Sequence, residues 1–182
     1  MAKDKSDKKQ FKYFLIKPVV AFDQSYTRTG VSVVDNGNVV RYGSIDFKKH
    51  KCKTKTDKRN LVRNVAKKLI EEHNPGVIIV ERIRMFSQGF ISKAYIASTG
   101  ALIASIVDVA EGFGIPVFSV DTRNWKAKVV GTSKHRTKNK KLETIEFVKN
   151  LGYNVNNNDD VADAICIGLS AFKEGVNFIR ET

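Results

Sequence analysis

Acidic residues follow two short apolar segments of the sequence. Asp23 ends VVAFD and Glu81 ends VIIVE, and both segments have the continuous apolar, β-branched character of strands that are buried on both faces. If these strands are parallel neighbours, both carboxylates emerge at one edge of the sheet, where open α/β sheets place their ligand sites. A carboxylate directly after a buried strand is costly unless it is paired or bound to a metal. For either acid alone, capping of a turn or pairing with a lysine is the simpler explanation.

A third acidic motif favours metal chemistry over simple pairing. Asp160 and Asp163 in DDVADA are three residues apart, so they lie on one face of the helix that begins there. Asn158 or Asp159 suits the N-terminal capping position. Asp163 does not, because it lies a full turn inside the helix between alanines. We expect Asp163 to face the sheet edge, and cation binding is the best reason for its burial.

The kind of ion follows from the residue types. Carboxylates without a His or Cys cluster suit a hard ion such as Mg²⁺, with Mn²⁺ able to substitute, rather than Zn²⁺. Two such ions about 4 Å apart can activate water and stabilise the leaving oxygen in phosphodiester hydrolysis. Acids alone would repel a nucleic acid, so the ions must reverse the local field. The predicted catalytic and metal-binding residues are Asp23, Glu81, Asp160 and Asp163.

The chain as a whole is strongly basic. Its 182 residues include 32 Lys and Arg against 19 Asp and Glu, a formal charge of +13 that predicts a polyanionic partner. Basic runs usually mean a solvated face, but two separate runs with few acids between them favour phosphate contact. They carry no base-reading pattern, which favours recognition of shape. The runs are Lys48, Lys49, Lys51, Lys53, Lys55, Lys58 and Arg59, and then Arg123, Lys126, Lys128, Lys134, Arg136, Lys138, Lys140 and Lys141.

A membrane partner is not expected. No uninterrupted apolar run reaches the roughly 20 residues that a bilayer span needs, and the N-terminal segment lacks the continuous apolar region of a secretory signal. Cys52 and Cys166 have neither metal-ligand spacing nor a disulfide framework. We therefore expect reduced thiols and a cytoplasmic protein.

The order of predicted elements indicates the fold class. Residues 1–12 are predicted to be a flexible basic arm and residues 13–182 a single domain. Three antiparallel strands open the domain, with a hairpin turn at Asn36-Gly37, and helices over 58–72 and 91–111 are each followed by a strand. The remainder is predicted to be helical, near Trp125, over 138–150 and over 159–173. This is an α/β order that matches the ribonuclease H-like fold, with a five-stranded mixed sheet flanked by helices, although order alone fits other α/β folds.

Four motifs together resemble the RuvC family of Holliday-junction resolvases. VVAFDQSYTRTGVSVVD resembles the family's opening strand and hairpin, and VIIVERIRMF its second motif. IPVFSVDTRNWKAKVVG is similar to the fifth strand and the Lys-rich segment after it, and DDVADAICIG to the final Asp-x-x-Asp-Ala helix. The motifs occur in family order over nearly the whole chain after the arm. The RuvC-like proteins of bacteriophages are more similar than the bacterial ones, which would place the protein in the cytoplasm of a bacterial host.

The resemblance implies an activity, a metal and an assembly. It implies a ribonuclease H-like fold, a two-fold homodimer, Mg²⁺ dependence and paired nicks in four-way DNA junctions, with forks and flaps as further branched substrates. The catalytic acids carry over to Asp23, Glu81, Asp160 and Asp163. The DNA-contacting lysines carry over to Lys126 or Lys128, and less directly to Lys141 because the loop before it is longer here.

Two departures from the family pattern affect what can be carried over. Gln24-Ser25 replaces the Pro-Gly that commonly follows the first acid, so the turn there must be shaped differently. Arg84 stands where an aromatic residue often stacks at the junction, with Phe86 two positions on, which puts a strict choice of cleavage sequence in doubt. The predicted DNA-binding residues are Arg84, Phe86, Lys126, Lys128, Lys138 and Lys141.

The helix predicted over 91–111 has more apolar surface than one sheet face requires. Ala97, Gly100, Ala101 and Ala104 are small enough to let another helix approach closely. A two-fold copy of the same helix and the C-terminal helices of the same chain are both possible partners. Two other functions also fit the sequence, a nuclease for flaps or RNA–DNA hybrids and a non-catalytic DNA-binding protein whose acids are only caps and ion pairs.

Overall fold

The computed structural model describes residues 16–83, 93–131 and 140–181, which form a mixed sheet with helices on both faces. The described strands lie in the order β3-β2-β1-β4-β5-β6. They are β1 (Val19–Asp23), β2 (Arg28–Asp35), β3 (Asn38–Asp46), β4 (Val77–Glu81), β5 (Val117–Val120) and β6 (Phe178–Glu181). The described helices are α1 (Lys55–His73), α2 (Lys93–Gly112), α3 (Thr122–Val129), α4 (Lys140–Asn150) and α5 (Asp159–Ser170).

The two central strands are the parallel neighbours that the sequence predicted. β1 pairs with β4 in parallel, with Phe22 opposite Val80. Alternate side chains of each strand enter two separate cores, because helices cover both faces of the sheet. α1 and α2 pack on the face that carries Phe22, and α3, α4 and α5 pack on the face that carries Ala21. Continuous burial explains why these strands are uniformly apolar.

The opening of the domain is the predicted antiparallel meander. β1 pairs with β2 and β2 with β3, both antiparallel. The turn between β2 and β3 contains Asn36 at φ 48° and Gly37 at φ 78°. Both residue types tolerate positive φ, which is what a tight hairpin requires.

The predicted sheet of five strands is one strand too small. β6 pairs antiparallel with β5 and is the outermost strand on that side of the sheet. The last predicted helix is also shorter than expected, because α5 ends at Ser170 and part of the segment after it forms β6. The sequence FIRE is short and only partly buried, because an edge strand has one neighbour to pack against. It therefore lacks the apolar run that identifies the central strands. The predicted basic arm, residues 1–12, lies outside the described residues.

α2 is long and apolar enough to cross a membrane by length and composition alone. One such helix is weak evidence for a span, because the core helix of a globular domain passes the same test. Leu102, Ile106 and Ala110 pack in the core beneath the sheet, and α1 lies against α2. The composition of α2 thus reflects packing on one side and leaves apolar surface on the other.

Candidate active site

The ends of β1 and β4 bring the first two predicted acids to one edge of the sheet. Asp23 is the last residue of β1 and is 9% exposed, and Glu81 is the last residue of β4. Because the two strands run parallel and in register, both carboxyl ends meet at the same edge. The predicted placement of both acids is confirmed.

α5 lies across β1 and β2 and places its two acids at the same edge. Of the two capping candidates, Asn158 and Asp159, it is Asn158 that caps α5 by accepting from the N–H of Val161, so Asp160 lies in the first turn and Asp163 one turn on. Asp163 faces the sheet edge and is largely shielded from solvent. The approach is very close, because a Cβ on Gly30 would lie 1.8 Å from the carbonyl oxygen of Asp160. Gly30 is opposite Asp23 in the ladder, so this contact sets the distance between α5 and the first acid.

The four carboxylates influence one another electrostatically. Burial raises the pKa of Asp23 well above its ordinary value, and the carboxylates of Glu81, Asp163 and Asp160 raise it further. Burial also raises the pKa of Glu81 and of Asp163. A group that is buried among like charges lacks sufficient counter-charge, and such perturbed pKa values are typical of functional sites.

Three of the four acids are held by donors from this chain. Nε of Arg28 lies 2.5 Å from Asp160, and Nζ of Lys126 lies 3.4 Å from Asp163. The indole N–H of Trp125 donates to Glu81 at 3.0 Å. Within residues 16–83, 93–131 and 140–181, no side chain or backbone donor forms a hydrogen bond or ion pair with the Asp23 carboxylate, and the charge of Lys126 partly opposes the rise in the pKa of Asp23.

A buried hydroxyl also faces this acidic group. Thr144 is 1% exposed and lies close to Asp163. Burial raises the pKa of Asp163, and Lys126 first and then the Thr144 hydroxyl act to lower it. Its hydroxyl nevertheless forms no hydrogen bond of good geometry. We therefore count Lys126 as the principal partner of Asp163.

The donor set fits a divalent cation, although the acids do not yet surround a common centre. In the part of the chain that the structure describes, no three Asp, Glu, His or Cys side chains converge closely enough to hold an ion as they stand. Asp160, Asp163 and Glu81 are bonded instead to Arg28, Lys126 and Trp125. Oxygen ligands without nitrogen or sulfur match Mg²⁺ or Mn²⁺. The buried charge of Asp23 is what an ion would neutralise.

The family model of the crossover junction endodeoxyribonuclease RuvC matches residues 19–171. The chain belongs to the RuvC family. The matched segment contains β1 to β5, the five described helices and the four acids. No curated protein matches the sequence significantly.

Solved structures of resolvases share the RuvC fold of this chain at low sequence identity. Thermus thermophilus RuvC in complex with a Holliday junction substrate has a TM-score of 0.68 and 15% identity, over 85% of this chain and 91% of that chain. A second structure of Thermus thermophilus RuvC has a TM-score of 0.64 and 17% identity, over 84% and 92%. The yeast mitochondrial Holliday junction resolvase Ydc2 has a TM-score of 0.56 and 14% identity, over 90% and 83%. These likenesses establish the ribonuclease H-like fold.

The structure separates the basic residues that the RuvC resemblance suggested for DNA contact. Lys126 lies among the acids, with its ammonium also 5.0 Å from the Trp125 ring. Lys128 is exposed, and its Nζ lies beside Gly175 in the segment after α5, 3.1 Å from the place where a Cβ on that glycine would be. Lys141 is in the first turn of α4, but its side chain is not among those that the structure describes. Arg84, Phe86 and Lys138 lie outside the described residues.

The first basic run lies at the same edge of the sheet as the acids. It covers the connection from β3 to α1 and the first residues of α1, and Lys48, Lys49, Lys51, Lys53 and Lys55 are exposed there. Nζ of Lys58 donates to the carbonyl of Tyr26 at 2.9 Å and lies 3.4 Å from the centroid of its ring. Because Tyr26 is in the turn after β1, this bond ties the basic connection to the acidic edge.

Three residues that support the site were missed by the sequence analysis. Arg28 was not distinguished from other basic residues, although it binds two acids of α5, Asp159 and Asp160. Trp125 was used only to locate a helix, although it is fully buried and its indole N–H binds Glu81. Gln24 was noted only as a departure from the family. A basic residue close after the first acid was the available signal for Arg28.

Proposed function

We propose that this chain is a metal-dependent endonuclease that cleaves four-way DNA junctions by phosphodiester hydrolysis with paired nicks. The observation that supports it most is the buried Asp23 carboxylate, which has Glu81, Asp160 and Asp163 around it in a chain of the RuvC family. A structural neighbour, Thermus thermophilus RuvC, is recorded with a Holliday junction substrate. The acids supply the chemistry and the basic surface supplies affinity for the backbone.

The four acids are proposed to hold two Mg²⁺ ions, for which Mn²⁺ can substitute. Such ions supply Lewis acidity that activates water and neutralises charge on the phosphodiester. Arg28 and Lys126 provide the counter-charge for Asp160 and Asp163 in the structure described here. With ions held by those acids, the Arg28 and Lys126 side chains would be available to bind phosphate oxygens at the same edge. The indole N–H of Trp125 positions the Glu81 carboxylate.

Branched DNA is proposed to bind across the basic surface at this edge. The exposed lysines between β3 and α1 flank the acids on one side, and α3 with Lys126 flanks them on the other. Lysines of this kind bind phosphates, so they recognise the shape of the DNA backbone rather than the base sequence. The surface therefore favours selection of branched structures, including forks and flaps as weaker substrates.

A cleavage assay on matched substrates tests the proposal. A four-way junction, a flap, an RNA–DNA hybrid and a linear duplex of equal length are incubated with the protein in Mg²⁺ and in EDTA. We expect symmetric paired nicks in the junction that require Mg²⁺, and little cleavage of linear duplex. Preference for the hybrid or the flap would favour another ribonuclease H-like nuclease, and junction binding without cleavage a non-catalytic DNA-binding protein.

We also propose that the protein is a homodimer that meets through α2. Ala97 and Ala104 are exposed, and Gly100 and Ala101 are only half-buried. The C-terminal helices α3, α4 and α5 pack on the opposite face of the sheet, so they do not cover this surface in the described structure. The remaining open face fits a second copy of α2, since small residues allow close helix approach.

An added charge on α2 is expected to separate the two copies. Sedimentation at micromolar concentration should give about twice the 20.4 kDa of the chain for the wild type and one chain mass for Ala104→Glu. The variant should bind junctions but make single rather than paired nicks. Asn60→Glu, which adds the same charge to an exposed position of α1, should remain a dimer. A monomeric wild type, or paired nicks by the Ala104→Glu monomer, contradicts the proposed interface.

The cytoplasm is the proposed location, that of a bacterial host if the gene belongs to a phage. Cys52 and Cys166 are both free thiols. Cys166 is in the core, where burial raises the pKa of its thiol and keeps it unreactive. Free cysteines are usual where the cell keeps thiols reduced.

A further inference from the structure

The side chain of Gln24 lies where β1 ends and the chain turns away from the sheet. Gln24 directly follows Asp23 and is 5% exposed. Its amide Nε2 donates to the backbone carbonyl of Glu81. The backbone N–H of Glu81 donates in turn to Oε1 of Gln24 at 3.2 Å. One side chain therefore binds both backbone groups of the residue that carries the second acid.

These two bonds continue the parallel ladder beyond the end of β1. The backbone N–H groups of Ile78 and Arg82 donate to carbonyls of the β5 side, at 3.0 Å and 2.9 Å. Alternation along a strand then turns the backbone groups of Glu81 toward β1. The pairing between β1 and β4 ends at Phe22 and Val80, one residue before Glu81. The Gln24 amide supplies the donor and the acceptor that a further peptide group of β1 would have supplied.

We propose that Gln24 is a positioning residue that fixes the Glu81 carboxylate beside the Asp23 carboxylate against their mutual repulsion. The inference rests on the proposed function, because it is the joint role of the two acids that makes their separation matter. Glu81 is held at two points, its backbone by Gln24 and its carboxylate by Trp125.

The strand ends need such a clamp because like charges oppose their approach. Asp23 and Glu81 end neighbouring parallel strands at one edge of the sheet, and two carboxylates held side by side repel each other when both are ionised. Glutamine suits the position because its amide has both a donor and an acceptor. Glutamate would lack the donor, and asparagine is one methylene shorter. This gives Gln24 a role at the place where the sequence departs from the Pro-Gly of related proteins.

The first test compares cleavage with binding. Gln24→Met keeps the length of the side chain and removes both hydrogen bonds. We expect the single-turnover cleavage rate to fall about 10- to 100-fold, the size of effect that a small misplacement of catalytic groups produces. Junction affinity without divalent metal should not change. Gln24→Glu, which sets an oxygen against the Glu81 carbonyl, should be at least as impaired.

A matched control removes a similar bond far from the acids. The backbone N–H of Val39 donates to the Tyr153 hydroxyl at 3.3 Å. Tyr153→Phe deletes that bond and should leave the cleavage rate unchanged, whatever it does to the unfolding temperature. If Gln24→Met cleaves as fast as Tyr153→Phe, the clamp does not position the acids and the inference is wrong.

The second test uses stability alone, so it remains informative even if the protein proves not to be a nuclease. Gln24→Met is made in the wild type and in Asp23→Asn, and unfolding temperatures are measured at neutral pH in EDTA. In the Asp23→Asn protein, Gln24→Met should remove the full stabilisation of two hydrogen bonds, which lowers the unfolding temperature by about 4 °C. In the wild type the fall should be smaller, because releasing the clamp also releases repulsion between the acids. Equal falls in both backgrounds would show a structural bond only and overturn the inference.

Discussion

Replacing Asp163 by asparagine is expected to reduce junction cleavage by at least about a hundred- to a thousandfold while junction binding is retained. The same result is expected for Asp23→Asn and Glu81→Gln. A neutral amide cannot replace the charge that a carboxylate ligand contributes in the transition state, and losses of this size follow the removal of one such interaction. Cleavage is measured as a single-turnover rate in Mg²⁺, and affinity as a dissociation constant in EDTA.

An exposed ion pair provides the control for these substitutions. Glu72 binds Arg41 at 2.5 Å on the surface of α1, which resembles the bond between Asp160 and Arg28 but lies away from the sheet edge. Glu72→Gln should therefore cleave junctions at the wild-type rate. Full activity in Asp163→Asn would contradict the assignment of the site.

The Asp23→Asn protein has a second expected property, a higher stability without metal. Because the pKa of Asp23 is raised in the folded protein, the folded state binds a proton more tightly than the unfolded state. Stability must therefore fall as the pH rises from about 4, the ordinary carboxyl pKa, through the raised folded value. Asp23→Asn should weaken that fall and raise the unfolding temperature at pH 7 by about 2 °C or more. Denaturation in EDTA at pH 5 and pH 7 measures both effects.

The acidic edge could be predicted from the sequence because its signals are local. A buried strand must be apolar throughout, so an acid that ends it is conspicuous, as Asp23 and Glu81 are. The spacing of Asp160 and Asp163 specifies one helix face, and the pair Asn158-Asp159 indicates where that helix begins. Each inference needs a window of only a few residues, and the structure confirms all of them.

The partners of the acids could not be predicted because they depend on distant parts of the chain. Arg28 and Asp160 are 132 positions apart, so nothing near either residue indicates their pairing. The buried face of α2 could not be predicted either, since the aromatic Tyr95 is 45% exposed whereas the polar Thr99 is buried. Helical periodicity identifies an apolar side but does not fix its rotation when apolar residues occupy several sides. β6 escaped prediction for a related reason, because an edge strand has few neighbours to impose a pattern.

The contact between β2 and α5 leads to the other large expected effect. In Gly30→Ala, the new Cβ would lie 1.8 Å from the carbonyl oxygen and 2.4 Å from the carbonyl carbon of Asp160. Both are backbone atoms in the first turn of a helix, so no side-chain rotation relieves the overlap and α5 must move away from the sheet. Overpacking of this kind costs about 1 to 3 kcal/mol. The displacement also separates Asp160 from Asp23, and we expect cleavage to fall about a hundredfold or more.

Two other glycines show whether the loss comes from this contact. On β3, a Cβ at Gly43 would have no atom within 4 Å, so Gly43→Ala should keep wild-type stability and activity. In α5, a Cβ at Gly168 would lie 2.7 Å from a Val34 methyl and 2.9 Å from the Ser32 hydroxyl. Gly168→Ala should therefore lower the unfolding temperature. It should reduce cleavage by the folded protein much less than Gly30→Ala does, because the overlap is with side chains and lies two helical turns from Asp160. Wild-type cleavage by Gly30→Ala would show that the close approach of α5 is not what brings Asp160 to Asp23.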